Sequence, residues 1–387
     1  MRVRPGVGAL VAACVLATIV GGCAETSEER ESYKLGAVVS LSGTYAGLGE
    51  PEKKAIELEV ARINDEGGVH GRDIEVIFED DATDEAQAQA AADKLVLQEG
   101  VLALVGTSGT GQSMAMRSVI QEAGVAQVSM AGGTVITAEF DPLVFQTPWS
   151  NTLVVPFVLE SMKDQGIARV GLISDAGGYG RDGRGVILNV APQAGIDIVA
   201  DETFNPGDTD MTTQLTKIDN AGVDALLMWT AGREAATVVK NVDQLGMDVP
   251  VFGGPGIARE EFITGAGDSA EGVRIAAGKI LVPAAYGEGT EPWEVATSFV
   301  SRFEEAYGEA PDIFAGHAYD ALNVVVEAMK RLPEDFTAQG LRDEIEKTSG
   351  FVGVGGTFSF SATDHNGISA DDLVMYEVSG GEWQLAD

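Results

Sequence analysis

Cysteine, histidine and basic residues are all scarce in this chain of 387 residues, and each scarcity excludes a class of protein. Only two cysteines occur, Cys14 and Cys23, which is too few for a disulfide framework or a cysteine-ligated zinc cluster. The three histidines, His70, His317 and His365, show no metal-ligand spacing, so we expect no metal and no other cofactor. Lys and Arg number 25 against 60 Asp and Glu, and the net charge of −35 excludes nucleic acid and anionic membrane surfaces as general partners.

The first residues have the pattern of an export signal. An uncharged run over positions 7–20 follows two arginines and ends at two glycines before Cys23, which predicts a signal peptide over residues 1–22. Small residues directly before a cysteine resemble a bacterial lipoprotein signal, so we expect lipidation of Cys23; an ordinary cleaved signal with an incidental cysteine is the alternative. Residues 23–32 are polar and predict a flexible tether. The protein is therefore expected outside the cytoplasm, attached to the membrane through its lipid only.

From Lys34 onward, short β-branched runs alternate with amphipathic stretches of helical length, which predicts βαβ units and parallel sheets. Strands are predicted over residues 34–40, 73–79, 102–106, 125–129, 170–174, 197–202, 225–230 and 251–253. Helices are predicted over 51–64, with Pro51 at the first helical position, and over 84–98. A second run of the same kind begins near Asn151, so the pattern predicts two α/β lobes in series.

The pattern changes after about residue 280. Helices are predicted over 292–307 and 314–331, and the tail from Thr357 alternates apolar and polar residues like short strands at a sheet edge. This order fits a chain that returns to the first lobe and then to the second.

Residues 178–183 (GYGRDG) match the dinucleotide-binding pattern G-x-G-x-x-G, but their context argues against a nucleotide. Three residues, 175–177, separate them from the preceding strand, Asp175 and Asp182 would face the phosphates, and nicotinamide cofactors are scarce outside the cytoplasm. We interpret the stretch as a glycine-rich turn that presents Tyr179 at the carboxyl edge of a parallel sheet, where open α/β folds bind ligands. Trp229, at the end of another strand, is placed on the same edge, with a core position as the alternative.

Two more turns of small residues, 106–111 (GTSGTG) and 129–134 (SMAGGT), follow neighbouring predicted strands. Their backbone N–H groups and hydroxyls suit a carboxylate or carbonyl oxygen, and together they predict a pocket wall; a capped loop without a ligand is the alternative. The first turn lacks the Gly-Lys-Ser/Thr ending of a phosphate-binding loop, and the sequence contains no G-x-S-x-G nucleophile elbow. We therefore expect no enzyme.

Five stretches carry a family resemblance: residues 41–43 with Gly49, 63–71 (INDEGGVHG), 80–84 (DDATD), 179–180 and 270–272. Together they resemble the extracytoplasmic solute-binding proteins of the leucine/isoleucine/valine-binding type, which feed ABC transporters. The resemblance implies a type I periplasmic-binding fold, α/β, with two doubly wound parallel-sheet lobes joined by three hinge crossings. The lobes would be residues 33–148 plus 282–355 and residues 149–281 plus 356–387.

The function implied by the resemblance is that of a receptor which closes on a small molecule and delivers it to the permease subunits of an ABC transporter. The ligand class is an amino acid, an amide or a small carboxylate, and we expect a monomer. An exported sensing module that signals to a membrane partner is the alternative.

Carried over by position, the family's first-lobe contacts fall on Thr110, Ala131 and Gly133, with Thr134 adjacent. An aromatic contact of the second lobe falls on Tyr179, and an apolar contact of the late helices falls on Phe314. The full set of expected ligand-binding residues is Ser108, Thr110, Ala131, Gly132, Gly133, Thr134, Tyr179, Trp229, Ala231 and Phe314.

This chain departs from the family where an amino-acid ligand would be held. Pro255 stands where amino-acid-binding members place an acid for the ligand's ammonium group, and Ala231 and Leu48 stand where they place aromatic residues. Asp175 and Glu234 are the candidates for a replacement acid. We expect ligands without an α-ammonium group to bind at least as well as leucine, because an unpaired buried cation is costly.

Overall fold

The computed structural model describes residues 31–386. The predicted signal peptide, Cys23 and nearly all of the predicted tether lie outside the described residues. Within the described range, no helix is both long and apolar enough to cross a membrane.

The first lobe is built on a parallel sheet of five short strands. They are β1 (Tyr33–Val39), β2 (Ile74–Asp80), β3 (Ala103–Gly106), β4 (Ala126–Ser129) and β5 (Val144–Gln146), in the order β2-β1-β3-β4-β5. Strands β3, β4 and β5 are buried along their whole length, which explains their continuous apolar runs. The predicted strands of this lobe are confirmed to within one residue at each end, and β5 was not predicted.

The helices of this part of the chain connect successive strands. They are α1 (Ala46–Asp65), α2 (Glu85–Lys94), α3 (Thr110–Ala115), α4 (Arg117–Ala123) and α5 (Val135–Ala138), with a π-helical turn at Leu95–Glu99. The prediction that Pro51 begins α1 is wrong, because the helix starts at Ala46 and contains the proline. Pro51 lacks only the N–H that would bond to the carbonyl of Gly47 in the first turn, so the helix continues past it.

The second lobe contains a larger sheet. Its parallel strands are β6 (Arg169–Asp175), β7 (Asp197–Phe204), β8 (Ala225–Trp229), β9 (Val251–Gly253) and β10 (Arg274–Gly278). Its helices are α6 (Asn151–Asp164), α7 (Gly178–Ala194), α8 (Thr212–Asn220), α9 (Glu234–Leu245) and α10 (Glu260–Ala266). Short 3-10 turns cover Pro255–Ile257, Gly267–Ala270, Lys279–Leu281 and Pro283–Tyr286. Strand β10 was not predicted.

The rest of the chain visits both lobes. Helices α11 (Glu291–Tyr307), α12 (Ile313–Arg331) and α13 (Ala338–Ile345) follow β10, and α12 packs on α1 and on strands β3 and β4 of the first lobe. A small hairpin of β11 (Phe351–Val352) and β12 (Thr357–Phe358) and a 3-10 turn at Ala370–Asp372 come next. Strands β13 (Leu373–Ser379) and β14 (Glu382–Leu385) then extend the second sheet, whose order is β14-β13-β10-β9-β8-β6-β7.

The chain therefore crosses between the sheets after β5, after β10 and before β13. This order confirms the predicted return of the late helices to the first lobe and of the tail to the second. Strand β13 pairs antiparallel with β10, and β14 pairs antiparallel with β13 at the sheet edge. The residue boundaries given above for the two lobes stay a prediction.

Candidate functional site

A cavity that is partly open to solvent lies where the loops after β3, β4, β6, β8 and β9 meet the start of α12. The carboxyl ends of parallel strands, where the loops of an open α/β sheet converge, are the usual ligand site of such folds. Here the loops come from both sheets, so both lobes and the late helices contribute to the wall.

Six of the expected ligand-binding residues lie on the cavity wall. They are Ser108, Thr110, Gly132, Tyr179, Ala231 and Phe314. Leu48 and Pro255, the positions where this chain departs from the family pattern, also line the cavity. The structure thus brings together residues that are more than 200 positions apart in the sequence. Their role in ligand binding stays a prediction.

The other four expected residues are not among those that line the cavity. A Cβ atom on Gly133 would come within 2.2 Å of Thr110 Cγ2, so the glycine allows the Thr110 side chain its place. The Ala131 carbonyl accepts a hydrogen bond from Gln146 Nε2 at 2.9 Å. Thr134 N donates to Asp182 of the other lobe at 2.7 Å.

Trp229 lies in the hydrophobic core, which was the alternative to a position on the ligand-binding edge of the sheet. It is fully buried, and its ring is stacked on Tyr179 with 6.2 Å between the centroids. Its Nε1 donates to Asn151 Oδ1 at 3.1 Å. Trp229 therefore supports Tyr179 from behind.

Three side chains on the wall have buried polar atoms without a partner among the described residues. These atoms are Thr110 Oγ1, Tyr179 OH and both ring nitrogens of His317. Buried polar groups in proteins are nearly always hydrogen-bonded, so groups that face a cavity unpaired are suited to a bound molecule. They come from the first lobe, the second lobe and the late helices.

His317 also lines the cavity, and it was not among the residues expected from the sequence. The histidines were considered only for metal spacing, and His317 has none. The signal that was available is its position three residues after Phe314, which places both side chains on one face of α12.

The polar groups of the wall are uncharged at neutral pH. Burial lowers the pKa of His317 to about 3 and raises the pKa of Tyr179 above its usual range. Among the described residues that line the cavity there is no Asp, Glu, Lys or Arg. The cavity therefore offers neutral hydrogen-bonding groups in an otherwise apolar and aromatic wall.

Ser108 faces the cavity, but its hydroxyl is engaged in the interior. Ser108 Oγ accepts a hydrogen bond from Ser40 N at 3.1 Å and is hydrogen-bonded to Glu52, which is completely buried. Burial raises the pKa of Glu52 well above its usual range. Ser108 therefore has less capacity for a ligand than Thr110.

The two candidate acids for an ammonium group lie outside the wall. Asp175 Oδ1 accepts from Gly177 N at 2.7 Å, and burial raises the pKa of Asp175 to about 6. Glu234 Oε1 accepts from Gly207 N at 2.6 Å. Both carboxylates thus hold loops of the second lobe.

A buried arginine lies directly behind the wall. Arg259 Nη1 donates to the carbonyls of Ala231 and Gly256 at 3.0 Å each, and both of these residues line the cavity. The guanidinium group also lies 5.8 Å from the centre of the Phe314 ring. Arg259 of the second lobe therefore packs on an aromatic residue of the first lobe, and its Nε lies 3.6 Å from Glu261 Oε2.

The lobes touch beside the cavity. A Cβ atom on Gly178, the first residue of α7, would lie 2.6 Å from the backbone nitrogen of Gly111 in the first lobe. Asp182, one turn further along α7, accepts from the backbone nitrogens of Thr134 at 2.7 Å and Val135 at 3.3 Å. These contacts describe a closed cleft.

Two α/β lobes, with a cavity between them at the carboxyl ends of both sets of strands, define the class of two-lobed solute-binding proteins. The family model described as "Periplasmic binding protein" matches residues 32–382, and the chain belongs to the periplasmic binding protein family. The resemblance to the leucine/isoleucine/valine-binding type is confirmed.

Named relatives and solved structures agree with this family. The chain is 25% identical over 346 residues to the leucine-, isoleucine-, valine-, threonine- and alanine-binding protein of Pseudomonas aeruginosa, covering 87% of this chain and 89% of that one. It is similar to an extracellular ligand-binding receptor from Rhodopseudomonas palustris HaA2, with TM-score 0.86, 25% identity and coverage of 92% and 100%. It is also similar to LivJ from Streptococcus pneumoniae, a branched-chain amino acid transporter substrate-binding protein solved with isoleucine, with TM-score 0.82, 28% identity and coverage of 92% and 99%.

Proposed function

We propose that this protein is an extracytoplasmic solute-binding lipoprotein that captures a small molecule between its lobes and delivers it to an ABC transporter permease. It acts by binding alone. The observation that carries the proposal is the cavity with walls from both lobes and three side chains whose buried polar atoms have no partner among the described residues. The description of LivJ as a transporter substrate-binding protein supports delivery to a transporter.

Binding is coupled to closure of the cleft. Thr110 belongs to the first lobe and Tyr179 to the second, so a ligand that bonds to both stabilises the closed form over the open one. A ligand at 100 times its dissociation constant adds roughly 2.7 kcal/mol to the stability of the form that binds it. Small-angle scattering should therefore show compaction with a tight ligand, and a tight ligand that leaves the radius of gyration unchanged would disprove the two-lobe clamp.

The ligand carries an oxygen-containing group at one end, its head, and does not require an α-ammonium group for binding. The described residues that line the wall include no acidic or basic side chain. An ammonium group would lie in this cavity without a carboxylate on the wall, which is costly. Short carboxylates and amides therefore bind at least as well as leucine.

Calorimetry on the mature protein tests the ligand charge. We compare leucine with ketoisocaproate, its oxo acid, and with isocaproate, which is leucine without its amino group. Equal or tighter binding of the two acids supports the proposal. Tight leucine binding that is lost in Asp175→Asn or Glu234→Gln would show that a buried acid serves the ammonium group after all.

Anchoring is tested separately. The mass of the protein extracted from membranes should include a diacyl or triacyl adduct that is lost in Cys23→Ala. An unmodified mature protein that begins at another residue would contradict the lipoprotein assignment.

A further inference from the structure

Two buried histidines of this chain have opposite surroundings. In His365, Nδ1 lies 2.9 Å from the Val144 carbonyl and Nε2 lies 3.1 Å from Glu346 Oε1, and the ring is stacked on Phe145 at 4.0 Å. In His317, neither ring nitrogen has a hydrogen-bond partner among the described residues. Only His317 lines the cavity.

The ring of His317 is fixed in orientation without hydrogen bonds. The edges of Phe314 and Trp149 meet it with centroid distances of 5.8 and 6.2 Å, at interplanar angles of 85° and 66°. Its backbone carbonyl accepts a hydrogen bond from Thr147 Oγ1 at 3.2 Å. The side chain is only 5% exposed. Packing thus holds a donor and an acceptor at the cavity, and no described residue uses either of them.

We propose that His317 selects ligands that carry a second hydrogen-bonding group in addition to the oxygen-containing head. This second group is a hydroxyl, carbonyl or amide in the part of the ligand away from the head. This inference rests on the proposed function and narrows its ligand class. An aliphatic side chain such as that of leucine gives the imidazole nothing to bond to. A site built for a polar group discriminates against an apolar isostere because its own buried group is left unpaired.

Two pairs of isosteric probe ligands separate the effect of a polar side chain from the effect of the amino group. Leucine and asparagine differ by an isopropyl group against a carboxamide, and isocaproate and succinamate differ in the same way without the amino group. We expect the carboxamide member of at least one pair to bind at least as tightly as its isopropyl partner. The ratio of the two affinities should shift toward the isopropyl member by about ten- to a hundredfold in His317→Leu. His317→Gln, which keeps a donor and an acceptor, should retain most of the native ratio.

The stability of the ligand-free mature protein gives a readout that needs no ligand. His317→Leu removes no hydrogen bond within the described residues, so its Tm should equal or exceed that of the native protein. His365→Leu is the matched control, and its Tm should fall by several degrees because the ring's polar contacts with the Val144 carbonyl and with Glu346 are lost.

The outcomes distinguish this inference from the proposed function. An equal loss of Tm in both histidine variants would show that His317 is structural and would overturn the inference. An unchanged affinity ratio in His317→Leu would also overturn it, while compaction on binding would leave the two-lobe clamp intact. If the protein is compacted only by ligands that lack a second polar group, the ligand class assigned to His317 is wrong. The proposal that the two lobes close on a ligand is then unaffected.

Discussion

Two buried polar regions of this molecule differ in whether their groups have partners. At the interface of α1, α11 and α12, the carboxylate of Glu59 is completely buried and is paired with Arg62 Nη2 at 2.9 Å. The same carboxylate accepts hydrogen bonds from Arg302 and, at 3.4 Å, from Asn323 Nδ2. In the cavity, by contrast, the polar atoms of Thr110, Tyr179 and His317 are unpaired within the described range.

The difference separates groups that hold the fold from groups available to a ligand. A buried carboxylate that is paired with basic side chains stabilises one particular packing of the helices around it. Removing the carboxylate leaves the buried positive charges of its partners unpaired. An unpaired neutral group weakens the closed protein until a ligand bonds to it. Substitutions in the first region should therefore change unfolding, and substitutions in the second should change binding.

The largest effect is expected at Glu59. Glu59→Ala leaves Arg62 and Arg302 without their buried carboxylate and should lower the free energy of unfolding by about 3 kcal/mol, measured by urea denaturation. The control is Glu57→Ala on the same helix, where the exposed pair with Lys53 at 3.6 Å should contribute less than about 1 kcal/mol. A Glu59 variant with native stability but weakened binding would break the comparison.

The next effect is expected where the lobes touch. Gly178→Ala places a methyl group against the backbone of Gly111, so closure is obstructed and ligand affinity should fall by roughly thirtyfold, about 2 kcal/mol, in calorimetry. Gly185→Ala on the same helix has nothing within 4 Å of the new methyl group and should retain affinity while raising stability slightly. Equal affinity in both variants would mean that this contact is not needed for binding.

Most of the fold, and part of the site, could be predicted from the sequence. The loops after β3, β4 and β6 were found because turns of glycine and small polar residues follow short apolar runs, and that signal is local. Strands β5 and β10 were missed, and the structure shows that they form by pairing with neighbouring strands, β5 with β4 and β10 with β9 and β13. His317 was missed because only the tertiary structure shows which buried groups lack partners.

A smaller effect is expected at Asp182, which joins α7 to the backbone of Thr134 and Val135. Asp182→Ala should weaken ligand binding by about fivefold, since hydrogen bonds to a charged group that form on closure are lost. Asp164→Ala, at an exposed position at the end of α6, is the control and should bind like the native protein. A loss of unfolding free energy without any loss of affinity would place Asp182 with the fold-holding groups.

The last effect concerns the pH dependence of stability. Burial raises the pKa of Asp312, which caps α12, to about 7. The folded protein therefore retains a proton that the unfolded chain releases near pH 4, so this stabilisation is present at low pH and is lost as pH rises through about 7. The free energy of unfolding should fall by about 1 kcal/mol from pH 6 to pH 7. Asp312→Asn keeps a capping side chain and should flatten this slope; an unchanged slope would assign it to other groups.

The contact between Gly111 and Gly178 has a consequence for the entropy of closure. Its surfaces are backbone atoms on both sides, so bringing the lobes together at this point immobilises no side-chain rotamers. Long side chains lose up to roughly 2 kcal/mol of rotamer freedom when they are ordered, and glycine loses none. None of the binding free energy is therefore spent on ordering side chains at this contact when the lobes close. The closed form can also open and release its ligand without first separating interlocked side chains there.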